Sequence, residues 1–321
     1  MAGRGIVVTG AAGFVAAAVV RRLVAQGHRV LAWIRPTTDT WRLSALESER
    51  RIDILRLDLR DLAAPAGRKL AEEALTAFEA EIVVHAAWQG IDGPARDNPA
   101  QLDNVAPCLN VVHVSAAAGA TRLLGLGSQA EYGRHDQPIS EDTLTKPTTL
   151  YGAAKLACGH LCLALARRLG ISAAWARLFS VYGPGAGGGT LIPDLARALR
   201  EKRPFPLGSG DTLWDYLYED DAAEALSRLA LADSAVGFFN VASGSAVPLR
   251  EVMLRVGALV APETRLEFGR RSVSTGDLPR LEADVTRLAR ATGFQPATSL
   301  ETGLVRAVEA ATGKGQGSGL A

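Results

Sequence analysis

The chain has 321 residues, of which 48% are hydrophobic and 21% are charged, and its formal net charge is +1. A charge so close to zero argues against a nucleic-acid partner or a charged membrane surface. The sequence shows no secretory signal pattern and no apolar run of about 18 residues, the length of a membrane span. We therefore expect a globular cytoplasmic protein of one or two domains.

Short β-branched runs alternate with alanine-rich amphipathic stretches along most of the first 180 residues. Strands that are apolar almost throughout, and that alternate with helices, are typical of a parallel sheet covered on both faces. We therefore predict an α/β fold. A helix is predicted over 14–26, and another begins near Tyr151. The predicted strands are 5–10, 28–34, 52–58, 81–87, 121–128, 172–179 and 237–242.

Two glycines, Gly10 and Gly13, follow the first predicted strand and open the first predicted helix. Gly10 permits a tight turn, and Gly13 lets the backbone approach a pyrophosphate at the helix N-terminus. Ala16 is a third small position that permits close packing of helix on strand. This strand–turn–helix context predicts a dinucleotide site, and the alternative is a tight turn without a ligand.

The second predicted strand ends in the sequence LAWIRP, with Arg35 at its tip. Sites that prefer NAD usually carry an acid there, which holds the ribose 2′-hydroxyl. A guanidinium can instead pair with a 2′-phosphate through a charge-assisted hydrogen bond. NADP(H) is therefore favoured over NAD(H), and the alternative is a solvated arginine at a strand end.

The sequence YGAAK places Tyr151 four residues before Lys155, so on a helix both side chains share one face. A neighbouring ammonium stabilises a phenolate and lowers its pKa, which makes the phenol a usable acid. The alternative is a pair of ordinary surface groups. Cys158 and Cys162 have the same spacing, but no second Cys or His pair accompanies them. We predict plain packing for these cysteines and no metal site.

The sequence changes character after about residue 180, where a glycine-rich loop is followed by shorter and more mixed elements. Gly183, Gly185 and Gly188 repeat the G-x-G-x-x-G spacing, but no βαβ unit follows them, so we predict a mobile loop beside a substrate. The predicted division is a dinucleotide-binding domain (1–179 plus 236–261), a smaller mixed α/β substrate-binding lobe (180–235 plus 262–311) and a flexible tail (312–321).

Seven motifs occur in a fixed order: TGAAGFVA, LDLRD, VVHAA, GSQAEYG, YGAAK, RLFSVYGP and WDYLYEDDAAEAL. With them, residues 4–310 closely resemble the extended short-chain dehydrogenase/reductases, in particular the nucleotide-sugar epimerase/dehydratase/reductase group. Within that group the chain is most similar to the nucleotide-4-keto-6-deoxyhexose reductases. The resemblance implies a Rossmann-type doubly wound parallel sheet with a smaller substrate-binding lobe.

The resemblance also implies a catalytic group of Ser128, Tyr151 and Lys155. Tyr151 would give a proton to a carbonyl oxygen as hydride arrives at its carbon. Ser128 would hydrogen-bond that oxygen, and Lys155 would hold the nicotinamide ribose. The implied cofactor contacts are Gly10, Gly13, Phe14, Val15, Arg35, Asp58, Leu59, Ala86, Ala87, Asn104, Tyr151, Lys155 and Phe179.

Departures from the family pattern concern the substrate. Dehydratases of the group carry an Asp-Glu pair after the catalytic Ser or Thr, whereas this chain has Gln129 and Ala130, so dehydration is not expected. Trp214 stands where many relatives hold an arginine on the substrate pyrophosphate, and either stacks on a base or sugar or belongs to the core. Ser180 replaces a usual asparagine. The implied substrate contacts are Gln129, Ser180, Thr190, Leu191 and Trp214.

A phosphate-binding arginine suits an enzyme that exchanges NADPH at each turnover. We therefore predict NADPH-dependent reduction of a keto group, at C4, on a dTDP-, CDP- or GDP-linked 6-deoxyhexosulose in deoxysugar biosynthesis. The alternatives are a nucleotide-sugar 4-epimerase with tightly bound NAD and a non-enzymatic NADP(H)-binding regulator. Helices over 100–119 and 150–170 have outer faces poor in charge, and family members often pair these helices, so a homodimer is expected.

Overall fold

A computed structural model describes residues 3–271 and 279–313. Its strands are β1 (Gly5–Thr9), β2 (Arg29–Ile34), β3 (Asp53–Arg56), β4 (Ile82–His85), β5 (Arg122–Ser128), β6 (Ser172–Leu178), β7 (Ser180–Tyr182), β8 (Leu213–Tyr218), β9 (Gly237–Val241), β10 (Ala246–Pro248) and β11 (Arg280–Leu281). Its α-helices are α1 (Phe14–Ala25), α2 (Ser44–Ser48), α3 (Pro65–Ala77), α4 (Val105–Ala117), α5 (Leu150–Arg168), α6 (Leu191–Arg200), α7 (Glu219–Leu231), α8 (Leu249–Val260), α9 (Thr286–Thr292) and α10 (Leu300–Thr312).

Seven strands form one sheet in the order β3-β2-β1-β4-β5-β6-β9, and every neighbouring pair is parallel. This confirms the predicted Rossmann-type doubly wound sheet. The chain moves outward from β1 to β3 and then returns to β4 on the other side of β1. The carboxyl ends of β1 and β4 therefore diverge into a crevice, which is where open α/β sheets bind ligands.

Both faces of this sheet are covered, which explains why its inner strands are apolar almost throughout. On one face α1 and α7 pack with apolar side chains of β1, β2, β4 and β5. On the other face α3, α4 and α5 enclose a second core around Trp33 and Trp175. The sheet is thus buried between two helical layers, and only its ends are open to a ligand.

A smaller lobe contains the second sheet, which is mixed. The central strand β8 pairs with β10 antiparallel, and with β7 and β11 parallel. Helices α6, α8 and α10 pack together against this sheet around Ile192, Val252 and Leu304. The predicted smaller mixed α/β lobe is confirmed as an architecture.

The packing differs from the predicted domain boundaries at two helices. α7 lies in the segment predicted for the lobe, yet its buried alanines and leucines pack on α1 and the large sheet. α8 lies in the segment predicted to return to the sheet, yet Val252, Met253 and Val256 join the core of the lobe. Thr312, the first residue of the predicted flexible tail, is buried at the end of α10, and residues from 314 onward lie outside the described part of the chain. Over the described ranges, no helix combines the length and apolar character needed to traverse a lipid bilayer.

Candidate active site

A cavity of about 670 Å³ opens at the carboxyl ends of the central strands. It brings together the whole catalytic group and every cofactor contact predicted from the sequence. By contrast, the five predicted substrate contacts Gln129, Ser180, Thr190, Leu191 and Trp214 do not line it. The predicted residues that line it are Gly10, Gly13, Phe14, Val15, Arg35, Asp58, Leu59, Ala86, Ala87, Asn104, Ser128, Tyr151, Lys155 and Phe179.

The glycine turn between β1 and α1 forms one wall of this cavity. Gly10 has a φ of +65°, and a Cβ added there would lie 2.7 Å from the Cα of Ala87. Only glycine meets both conditions without strain. Gly13 caps α1, which begins at Phe14 and presents the unpaired N–H groups of its first turn. The turn therefore has the form that receives a pyrophosphate.

The end of β2 supplies charge at one end of the cavity. Arg35 follows β2 and lines the cavity, as do Asp39 and Arg42. Asp58, after β3, accepts hydrogen bonds from the backbone N–H of Arg60 (2.9 Å) and from its side chain (2.7 Å). The hydrogen bond from Arg60, with a smaller effect of Arg35, holds the pKa of Asp58 below its usual value.

Arg42 also connects the glycine turn to the lobe. Its guanidinium donates to the carbonyl of Gly185 at 3.0 Å and to that of Ala12 at 3.3 Å. The N–H of Gly185 in turn donates to the carboxylate of Glu219 at 2.9 Å. The loop that repeats the glycine spacing is therefore fastened beside the first glycine turn. The prediction that no βαβ unit follows these glycines was wrong, because the loop joins β7 to α6 and the next strand, β8, pairs parallel with β7.

The residues after β4 are fixed by Asn104 and Thr9. The Asn104 side chain accepts from the N–H of Gln89 at 2.9 Å and donates to its carbonyl at 3.3 Å. The N–H of Ala87 donates to the Thr9 hydroxyl at 3.3 Å. Asn104 thus supports the edge of the cavity through Gln89, the kind of supporting position that the family resemblance implied.

Ser128, Tyr151 and Lys155 converge where β5 meets the first turns of α5. Ser128 is the last residue of β5, and its hydroxyl accepts from the backbone N–H of Ala130 at 3.2 Å. Lys155 donates from Nζ to the carbonyl of Leu126 at 2.7 Å, and burial lowers its pKa to about 8. Burial raises the pKa of Tyr151, and the Ser128 hydroxyl and the Arg96 guanidinium oppose that rise. Arg96 therefore lowers the pKa of Tyr151, which is the effect that the sequence led us to expect from Lys155.

Sequence reasoning missed an ion pair directly beneath Ser128. Glu131 is fully buried and accepts from Arg177 at 2.7 Å, from Trp175 at 2.9 Å and from the backbone N–H of Ser128 at 2.9 Å. Ser128 and Glu131 form a capping box around a short 3₁₀ turn. The Ser-x-x-Glu spacing within GSQAEYG is the sequence signal that could have revealed it.

Two further residues near the catalytic pair were also missed. Trp88 follows β4 closely, and its ring lies 3.9 Å from the Lys155 ammonium and edge-on to Tyr151. Arg96 belongs to a 3₁₀ turn (Gly93–Asp97), and its guanidinium lies 4.6 Å from the Tyr151 ring. The position of Trp88 after a strand end is a weak signal for site proximity, and no sequence pattern indicated Arg96.

The predicted substrate contacts are dispersed. Trp214 donates from Nε1 to the Ser180 hydroxyl at 2.6 Å and packs against a small core that includes Phe179. Thr190 is exposed at the start of α6, while Leu191 packs on the core of the lobe. Gln129 is half-buried in the turn after β5. For Trp214 the structure thus shows the core packing that was the alternative to stacking on a base or sugar.

Comparison with known proteins identifies the family of this chain. The family model for the NAD dependent epimerase/dehydratase family matches residues 6–242. A UDP-glucose 4-epimerase of Mycolicibacterium smegmatis is 28% identical over 322 residues, covering 96% of this chain and 99% of the relative. A UDP-glucose 4-epimerase of Corynebacterium glutamicum is 30% identical, covering 77% of this chain and 78% of the relative.

A solved structure, MoeE5 in complex with UDP-glucuronic acid and NAD, is 30% identical, with a TM-score of 0.81 and coverage of 96% of this chain and 99% of that chain. The matched range 6–242 holds both the glycine turn and the group of Ser128, Tyr151 and Lys155. The chain therefore belongs to the NAD dependent epimerase/dehydratase family.

Proposed function

We propose that this protein is a nucleotide-sugar 4-epimerase. The observation that carries the proposal is the convergence of Ser128, Tyr151 and Lys155 in the cavity that also contains the glycine turn. The named relatives that are most similar over most of the chain are 4-epimerases, which favours this activity over the ketoreductase predicted from the sequence. The nucleotide named in those relatives is UDP. We therefore propose a UDP-linked substrate ahead of one linked to dTDP, CDP or GDP.

The residues of the site fit reversible oxidation at C4. A bound nicotinamide dinucleotide would supply the hydride acceptor. Tyr151 takes the proton of the C4 hydroxyl and later returns it, while Ser128 hydrogen-bonds the same oxygen. Lys155, with its ammonium held by the Leu126 carbonyl, contributes positive charge beside the phenol. For epimerisation the 4-keto sugar would turn over in the site before the hydride returned, so that its opposite face received the hydride, while Tyr151 and Ser128 would act on the same C4 oxygen in both steps.

Dehydration is a poorer fit. The two residues after Ser128 are Gln129 and Ala130, and neither side chain can donate or accept a proton in a catalytic step. Elimination of water would need an acid and a base at these positions. The pair therefore supports epimerisation or reduction.

An NADPH-dependent ketoreductase is the second candidate, and a specific feature favours it. Arg35, Arg42 and Arg60 line the cavity and outnumber Asp39 and Asp58, the two lining carboxylates nearest to them in sequence. A surplus of guanidinium groups suits a 2′-phosphate. An epimerase that retains NAD has no need of such a surplus.

One experiment separates the two candidates. The purified protein is denatured, and the released dinucleotide is identified. In parallel, UDP-glucose and UDP-glucuronic acid are offered to the native protein without added cofactor. We expect the released dinucleotide to be NAD and one of these sugars to be converted to its C4 epimer. No retained dinucleotide, together with NADPH oxidation by dTDP-, CDP- or GDP-linked 4-keto-6-deoxysugars, would replace the epimerase by the ketoreductase. Failure of both assays would contradict both.

Arg35 has its own test. Arg35→Asp exchanges a pairing charge for a repelling one, so if the site takes NADPH, its binding should weaken by about 1.5–3 kcal/mol more than that of NADH. Arg68→Asp, on the exposed side of α3, is the matched control. Equal binding of NADH and NADPH by the unmodified protein would remove the case for NADP(H).

A further inference from the structure

The segment between β4 and α4 folds back over the catalytic pair. Trp88 lies on the Lys155 ammonium, and Arg96 lies on the ring of Tyr151. Trp88 lines the cavity, whereas Arg96 is not among the described residues that line it. Arg96 therefore contacts the ring of Tyr151 without lining the cavity that contains the predicted cofactor contacts.

The backbone on both sides of Arg96 is anchored. The buried side chain of Gln101 donates to the carbonyl of Ala95 at 2.9 Å. The carboxylate of Asp97 accepts from the N–H of Leu150 at 3.2 Å, at the first residue of α5. The turn that carries Arg96 is thus joined to the helix that carries Tyr151, which fixes their relative position.

The charge of Arg96 has no carboxylate partner in the described part of the chain, and its Nε is buried without a hydrogen bond there. A half-buried guanidinium is costly unless a nearby π face or anion compensates. The charged groups around Tyr151 are Arg96, Glu131 from the turn after β5 and Lys155 from its own helix. Of these, Arg96 lowers the pKa of Tyr151 and Glu131 raises it.

We propose that Arg96 is a positioning residue that stabilises the phenolate form of Tyr151 from outside the cavity. The proposal rests on the proposed function, in which Tyr151 moves the proton of the C4 oxygen. Lys155 donates to the Leu126 carbonyl and lies on the face of Trp88, whereas Arg96 lies on the ring of Tyr151 itself. Arg96 is therefore a second cation beside the phenol, in addition to Lys155.

The test is a titration of the phenol that needs no sugar. Tyrosinate absorbance is followed against pH in the presence of oxidised nicotinamide dinucleotide, and each protein is compared with its own Tyr151→Phe counterpart. Arg96→Met should raise the midpoint by about one pH unit, the lower end of the effect of a cation at 4–6 Å. Arg96→Lys should restore most of the shift. Lys69→Met, which removes an exposed cation on α3, should leave the midpoint unchanged.

An unchanged midpoint in Arg96→Met overturns the proposal, and so does an equal shift in Lys69→Met. Absence of any step that disappears with Tyr151→Phe, over the range in which the protein stays folded, overturns it as well. Should Arg96→Met not fold, Arg96→Gln takes its place with the same expected shift. Because no sugar is present, failure of the epimerase assay would overturn the proposed function without affecting this result.

Discussion

Replacing Tyr151 by phenylalanine keeps the aromatic ring against Trp88 and Arg96 but removes the phenolic proton. Folding and dinucleotide binding should persist, while turnover should fall by about 10²–10⁴-fold, the usual contribution of general acid–base catalysis. Steady-state kinetics with whichever of the proposed sugar nucleotides the unmodified protein converts provides the measurement. Ser128→Ala should lower the turnover rate less than Tyr151→Phe does. Lys155→Met should lower both the turnover rate and the affinity for the dinucleotide. Near-normal turnover in Tyr151→Phe would contradict the mechanism.

The Glu131–Arg177 pair allows a second test at the scale of residues. Glu131→Gln keeps the size of the side chain but leaves the buried Arg177 without an anion. Breaking a buried pair in this way typically costs about 3–5 kcal/mol of stability. Urea denaturation should show this loss, whereas Glu79→Gln, which removes an exposed pair with Arg29, should cost about 0–1 kcal/mol. Equal losses in the two variants would show that burial of the pair has no special effect.

At the scale of elements, the two faces of α5 have different surroundings. One face carries Tyr151 and Lys155, and Leu161 on the outer face is 45% exposed. We predict that α4 and α5 pair with their copies in a homodimer. Leu161→Arg should yield a monomer in sedimentation at micromolar concentration, because a charge would be buried in an apolar interface. Leu254→Arg, equally exposed at 50% on α8, should leave the dimer intact; a monomeric unmodified protein would contradict the prediction.

The long elements could be predicted from the sequence because each carries a continuous apolar pattern. The strands of the large sheet were all predicted within two residues at each end, whereas β7, β10 and β11 are too short, at three, three and two residues, to show any pattern. The positions of α7 and α8 were not predictable either. Their apolar faces would pack equally well on the large sheet or on the lobe, and only the tertiary structure decides.

Glycines in β5 also show that the sequence does not identify packing partners. A Cβ at Gly125 or Gly127 would lie 2.2 Å from ring atoms of Trp175, and one at Gly159 on α5 would lie 2.9 Å from the same indole. Glycine within a strand signals close approach of another group. Such glycines are a signal of close approach that the sequence analysis did not use, and they do not by themselves identify Trp175 on the neighbouring strand.

At the scale of the whole molecule, the predicted cofactor residues gather in one cavity because parallel strands deliver their carboxyl ends to one edge of the sheet. Topology thus made that part of the site predictable. Arg96 was not predictable, since its place depends on contacts of Gln101 and Asp97 that join distant segments. The predicted substrate contacts were the weakest, because they lie on short elements of the lobe and do not line the cavity.

The bridge made by Arg42 has a kinetic consequence. It ties the glycine turn at Ala12 to the lobe at Gly185, and we expect these contacts to slow the release of a dinucleotide bound at that turn. Arg42→Met should accelerate dissociation about tenfold, the equivalent of about 1.4 kcal/mol, as followed by stopped-flow fluorescence. Arg22→Met, which disrupts only an exposed pair on α1, should leave that rate unchanged. A long residence time would let one dinucleotide serve many successive turnovers. The contacts of Arg42 would then determine how often the enzyme must bind a new dinucleotide.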